Sequence, residues 1–326
     1  MTSPERAPGK RGRLPNDPSK PRLLLARYLT GTDVPPAPPA VDYLSRVPSW
    51  PMYLNDTWGD CVPAAAGHLI QASSAYGQGA TATVTDADIL AAYSGATGFD
   101  PAAGPSGSNP TDQGTVIQDF LSYWRKTGVG GHKILAFFEV DVRDRAQVDA
   151  AMNLFGGLMV GVDLPASAED QFGRGQTWSV VSPDGGILGG HCIVSGAYNT
   201  TARDASDVTW GSIQGSTDTW WDRYVSEAWG VVMPEWLDAT GRSPTGLDLY
   251  ALGEDLHALT GNPNPFPAPS PSPSPQPDPV DPSNTPQDYQ LAKTAAKWLK
   301  HHHWHHVDQE LAVDLTAWMR SKGYVE

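Results

Sequence analysis

Cysteine is nearly missing from this chain. Cys61 and Cys192 are two thiols in 326 residues, too few for a disulfide framework, so burial of apolar surface has to hold the fold. Long apolar runs are missing as well. Leu23-Leu24-Leu25 is too short for the core of a secretory signal, and no run approaches the roughly 20 residues that span a bilayer. The expectation is a chain with neither signal peptide nor transmembrane segment. Positive charge is scarce: 22 Lys and Arg face 36 Asp and Glu, for a net charge of −14. An acidic body repels phosphate, which argues against nucleic acid as a partner. Two catalytic signatures are also lacking: the Gly-x-Ser-x-Gly elbow of a serine hydrolase, and the Gly-rich phosphate loop ending in Gly-Lys-Ser/Thr.

What is present is unevenly distributed. Residues 1–40 form a Pro-rich arm, basic over residues 1–30, where Arg6, Lys10, Arg11, Arg13, Lys20, Arg22 and Arg27 outnumber Glu5 and Asp17. Such an arm reads as extended, either laid on the body or detached from it. Residues 41–262 carry enough apolar side chains for one sizeable core. Residues 263–286 are a Pro/Ser repeat, a semi-stiff polyproline spacer. Residues 287–326 hold two helix-like segments with apolar positions at Leu291, Trp298, Leu299, Leu311, Leu315 and Trp318, a module small for independent stability.

Within the body, periodicity predicts helices over residues 61–75, 84–93, 114–127 and 147–155. Strands follow over residues 133–142, 157–164, 191–198, 208–211 and 229–232, with a short helix at 220–225. Residues 95–112, rich in Gly, Pro, Ser and Asn, read as loop. Helices lead and strands come later, which is an α+β arrangement with a helical half facing a sheet half.

The chemistry lies in Asn55-Asp56-Thr57-Trp58-Gly59-Asp60-Cys61. This is a polar turn that delivers a cysteine to the first turn of an Ala-rich helix, with Asp60 as N-cap and Pro63 where an amide hydrogen is dispensable. Unsatisfied amides and the positive end of the helix dipole favour thiolate there. Gly59 lets other backbone approach closely. The Asn55 amide is a turn-former or, six residues upstream of the sulfur, a donor to an oxyanion. A nucleophilic thiol needs a base. Of the nine histidines, His301, His302, His303, His305 and His306 lie beyond the spacer and His257 just before it. The body offers His68, His132 and His191. His191 follows Gly189-Gly190 and opens a strand, with Cys192 on the opposite face. His68, on the same helix as Cys61, reads as a satisfied core histidine.

Taken in order, these residues resemble a papain-like cysteine peptidase over roughly residues 50–235. Asn55 stands where the family has a glutamine six before the cysteine, and Gly59 keeps the glycine two before it. Residues 114–129 resemble the second core helix, Gly190-His191-Cys192-Ile193-Val194 the histidine strand, and Thr209-Trp210-Gly211 the end of the next one. The resemblance implies a two-lobed body, with a helical half and an antiparallel sheet or barrel half. It also implies Cys61 as nucleophile, His191 as base, Asn55 as oxyanion donor, and a peptide or protein substrate. The family's orienting asparagine falls on Val208, which cannot hold an imidazole; Asp207 and Gln214 are the other acceptors nearby. More narrowly, Asn-Asp-x-x-Gly-Asp-Cys with Gly-Gly-His and Thr-Trp-Gly-x-x-Gln is similar to an uncharacterised group encoded by actinobacterial phages and bacteria. That likeness implies a phage-associated chain, located in the cytoplasm of the producing cell or in the virion.

Two rivals use the same features. In one, the fold is a non-catalytic virion structural or attachment protein and the spacer is a tether to other virion proteins. In the other, the chain is a cell-wall amidase or endopeptidase anchored on bacterial cell wall by its terminal module. No cofactor is expected. The i, i+4 pairs His301/His305 and His302/His306 suit one divalent ion. Interleaved Lys300 and Trp304 favour a solvated amphipathic helix instead, so no metal is expected either. Trp210 reads as core or as a cover over the imidazole.

Overall fold

A computed structural model describes residues 6–20, 22–25, 37–237, 250, 253–254 and 263–264. The spacer beyond Asn264 and the terminal two-helix module lie outside the described residues, as does the histidine cluster.

Seven antiparallel strands make the sheet at the centre of the body. They are β2 (Ala40–Asp42), β4 (Ala136–Val140), β5 (Leu158–Pro165), β6 (Ile187–Asn199), β7 (Asp204–Thr209), β8 (Ser212–Thr217) and β9 (Val225–Val232). Their order is β4-β9-β5-β6-β7-β8, with β2 pairing β6 beyond the end of β5. The edges β4 and β8 do not meet, so of the two expected forms, sheet or barrel, the half is an open sheet. β5 is buried over nearly its whole length, which explains its unbroken run Leu-Met-Val-Gly-Val.

Each face of the sheet buries its own core. On one face Val160, Val162, Leu164 and Ile193 meet Trp178, Trp220 and Trp221 together with α4 (Arg145–Phe155), α5 (Ala166–Gly173) and α6 (Asp218–Tyr224). On the other, Met159, Cys192, Val194, Val208 and Trp229 meet α1 (Cys61–Gly77), α2 (Asp86–Thr97) and α3 (Ile117–Lys126). Alternation along β6 sends Cys192 and Val194 to one core and Ile193 to the other.

Helix ends follow local chemistry. Thr85 and Asp88 form a reciprocal capping box on α2, and Asp144 accepts from the Gln147 amide at the start of α4. Gly156 ends α4 at φ +78, with no room for a Cβ because Trp236 lies 2.5 Å from where it would be. Asp60 departs from expectation. It precedes α1, but its side chain makes no capping bond and turns to the Asn55 amide instead. The expected single strand at residues 208–211 is the junction of a hairpin: β7 and β8 are joined through Trp210, at φ +44, and Gly211. The helix α5 lies where no element was expected. Its residues Ala168 and Phe172 pack while its first turn lacks a side-chain cap, so little in its sequence announces it.

The arm lies on the body wherever it is described. β1 (Arg13–Leu14) pairs in parallel with β3 (Thr115–Val116), Lys20 salt-bridges Asp119, and Leu25 is buried beside β4.

Candidate functional site

Residues 9–13 of the arm lie in a groove between the start of α1 and the β6–β7 end of the sheet, with Asn55 and Gly59 on one side and Trp210 and Gly190 on the other. The helical wall is the turn from Asn55 to Cys61. There Asn55 is buried, and its Nδ2 donates to the Trp58 carbonyl at 3.1 Å and to Asp60 Oδ1 at 3.1 Å. Both amide hydrogens are thus committed within the turn. The Gly59 N–H donates to Asp112, which also accepts from the Tyr93 hydroxyl. Burial pushes the Asp60 carboxyl well above the ordinary carboxylate range, against the lowering effect of Asn55.

The sheet wall carries His191. Its Nε2 shares a hydrogen bond with Thr209 Oγ1 at 2.7 Å, while Nδ1 is buried with no partner. The Trp210 indole stacks on the imidazole at 4.6 Å between centroids, and Phe172 meets that indole edge-on. Val208 points into the opposite core, as its lack of polar atoms requires. Asp207 accepts from Ser216 at 2.6 Å, and Gln214 donates to the Gln176 carbonyl, so neither serves the imidazole. The group that does is Thr209, a hydroxyl directly before Trp-Gly and one position after Val208, where the resemblance puts the orienting residue.

The arm stitches the walls together. The Lys10 N–H donates to the Asn55 carbonyl, and the Lys10 carbonyl accepts from Trp210 Nε1 at 3.3 Å. A Cβ on Gly9 would lie 2.6 Å from both the Asn55 carbonyl and the Trp210 ring. At Gly12 a Cβ would overlap the Gly59 carbonyl, so the close backbone contact needs glycine at position 12. The backbone of Cys192, the residue after His191, and of Gly12 in the arm lies near enough the Cys61 sulfur to oppose in part the effect of burial on its thiol. The Arg13 carbonyl abuts Gly190, the residue before His191. Arg11 forms an ion pair with Glu169 at the rim.

Under this cover both Cys61 and His191 are 1% exposed. Burial pushes the Cys61 thiol up to about 12, chiefly by desolvation of the thiolate. Desolvation, helped by the nearby Arg11 and Arg13 charges, drops His191 to about 3. Both groups are therefore neutral, and their neighbours belong to different cores: Cys61 packs with Cys192 and Val208, His191 against Trp210, which meets Phe172. No hydrogen bond joins the two. Cys192, also buried, has its thiol raised by desolvation and faces the helical core. His68 is sealed beneath Trp50 and Tyr53, with Nε2 at 2.8 Å from the Pro51 carbonyl. Among the described residues no group of three or more His, Cys, Asp and Glu is arranged to hold a metal ion, and no helix is long and apolar enough to cross a membrane.

The body is similar to xylellain, a cysteine protease from Xylella fastidiosa, at a TM-score of 0.54 and 13% identity over 71% of this chain and 99% of that one. It is also similar to a digestive procathepsin L 3 of Tenebrio molitor larval midgut, at a TM-score of 0.46 and 11% identity over 70% of this chain and 76% of that one. For procathepsin B S9 from Trypanosoma congolense the values are 0.44 and 10%, over 69% of this chain and 86% of that one. At such identities a likeness speaks for the fold alone, and the first carries that argument. No family model matches the chain, and no curated protein does.

Proposed function

We propose that this chain, whose body has the papain-like cysteine-protease fold, is a cysteine-dependent hydrolase of peptide or amide bonds held latent by its own arm. In this reading the Cys61 thiolate attacks a carbonyl carbon. His191 takes the thiol proton and passes it to the leaving amine. The Cys61 N–H and the Asn55 amide, once released from Asp60, hold the oxyanion. Thr209 fixes the imidazole through Nε2, which leaves Nδ1 as the working nitrogen. The phage setting implied by the Asn-Asp-x-x-Gly-Asp-Cys and Gly-Gly-His motifs belongs to the same proposal.

The observation that supports it is the groove itself. Residues 9–13 of the arm touch Asn55 and Gly59, in the turn that leads to the thiol, and Trp210 and Gly190, which flank the imidazole. Withdrawing the arm rehydrates both groups and removes the desolvation that suppresses thiolate. The test is alkylation by iodoacetamide at graded pH, read by mass spectrometry at Cys61, alongside cleavage of a fluorogenic peptide library. The wild-type chain should react slowly. The Arg13→Ala chain, whose arm is loosened, should be alkylated at Cys61 well below the ordinary thiol range and should cleave peptides. Adding His191→Ala should abolish both. A second reading, a non-catalytic scaffold, is favoured by the raised Cys61 thiol and the absence of a carboxylate on His191. It replaces the first if loosened Cys61 reacts only as an alkaline thiol and no peptide is cut.

A further inference from the structure

We infer that the pocket now holding Arg13 is the specificity pocket of the groove, and that Glu227 in it selects a substrate bearing a guanidinium side chain. This rests on the hydrolase reading of the same groove. Glu227 stands on β9 with its side chain 3% exposed. Its Oε2 accepts from Trp229 Nε1 at 2.8 Å, and its Oε1 accepts from Arg13 Nη1 at 2.9 Å. Among the described residues, no other cation forms an ion pair with it. A carboxylate this deep without a cation is strongly disfavoured. If the arm leaves, the carboxylate is left free to pair with another positive group.

The shape of the pocket decides which one. Arg13 Nη2 donates to the Asp163 carboxylate and to the Val162 carbonyl at 3.3 Å, while Nη1 serves Glu227. Acceptors spread over both terminal nitrogens suit a planar fork better than a single compact ammonium, with Nε alone left unpaired. The space exists because β5 has glycine at its centre. A Cβ on Gly161 would lie 2.6 Å from Glu227 Cγ and 2.9 Å from Arg13 Cδ. Asp163, half exposed, marks the mouth. The pocket is also close to the chemistry, since Arg13 follows the residue whose backbone lies near the Cys61 sulfur and its own carbonyl abuts Gly190. The Arg11–Glu169 pair differs: both partners are partly exposed, as in a surface clasp.

The test uses the full chain carrying Arg13→Ala, which empties the pocket and loosens the arm without removing it. Acetyl-arginine methylamide should bind at least tenfold more tightly than the citrulline derivative, which has the same shape without the charge, when both are measured by calorimetry. The lysine derivative should fall between them. Adding Glu227→Gln should erase the arginine preference. Equal binding of arginine and citrulline derivatives, or a preference untouched by Glu227→Gln, overturns the inference. Should Arg13→Ala fail to fold, Arg13→Gln, which keeps a donor near Glu227, carries the same titrations. Fluorogenic peptides with Arg or Leu at each of the two positions before the scissile bond give the second readout. Arginine should raise kcat/KM at least tenfold at one of them. Selective arginine binding without any cleavage keeps the pocket and sinks the hydrolase; cleavage indifferent to arginine does the reverse.

Discussion

The two walls of the groove are built in different ways. The helical wall is a short contiguous turn whose polar atoms satisfy one another: Asn55 holds Asp60 and the Trp58 carbonyl, and Asp112 holds Gly59. The sheet wall is assembled from distant segments. His191 comes from β6, Thr209 and Trp210 from the end of β7, and Phe172 from α5, brought together by strand register and side-chain packing. A local turn positions the Cys61 thiol at little cost, because few residues must be ordered to make it. The His191 imidazole on a sheet needs the whole fold but gains rigidity, with a hydroxyl on one ring nitrogen and an indole on one face. The walls should therefore fail differently when perturbed.

The largest effect expected is on catalysis. In the Arg13→Ala background, Cys61→Ala and His191→Ala should each lower kcat/KM for peptide hydrolysis by about a thousandfold or more, read with a fluorogenic substrate. A chain that keeps its rate without His191 would remove the sheet wall from the chemistry. Next comes stability. Trp210→Ala takes away the indole stacked on His191 and Phe172, and should cost about 3–5 kcal/mol in urea unfolding. Asn55→Ala, on the helical wall, leaves the buried Asp60 without its donor and should cost about 1–3 kcal/mol.

Acid separates the walls by charge. His68 in the helical half is held down to about 4 and His191 in the sheet wall to about 3, both chiefly by desolvation. Depressed histidine values mean that stability is fully present above the unfolded value near 6.5 and is lost as pH falls through the folded ones. Asp207, raised to about 6 by burial, works in the opposite sense: its contribution is present below the unfolded value of 3.8 and is lost as pH rises through 6. His68→Gln should remove about 3 kcal/mol of the loss between pH 7 and pH 4, measured as the change in urea midpoint. The smallest effect is at the hydroxyl. Thr209→Ala should reduce kcat about tenfold with little change in KM, and Thr209→Ser should restore it. Failure of serine to rescue would assign Thr209 to packing alone.

Much of the helical wall was legible in the chain. Asn55, Gly59 and Cys61 stand within seven residues, and the Ala-rich run after Cys61 has the composition of a buried helix. Asp60 was misjudged as a cap because an Asp before a helix has two options, and only the neighbouring Asn55 amide decides between them. The sheet wall was half legible. His191 stood out after two glycines, but its partner was sought at Val208, Asp207 and Gln214. One step along a strand reverses every side chain, and β6 and β7 carry a register shift between Ser195 and Ala197 that has no sequence signature. Helix α5 went unnoticed because its apolar residues gain meaning only against Trp178 and Trp210.

By itself the sequence determined the α+β order, the thiol at a helix start, the histidine after paired glycines, and a basic arm ahead of an acidic body. Those features are local, set by periodicity, turn chemistry and charge within a few residues. Only the tertiary structure decided that the sheet stays open, that Thr209 holds the imidazole, and that Arg13 enters a buried carboxylate pocket 214 residues away in the chain. Each of those depends on contacts between residues far apart in the chain, which exist only once the strands have found their register and both cores have closed around them.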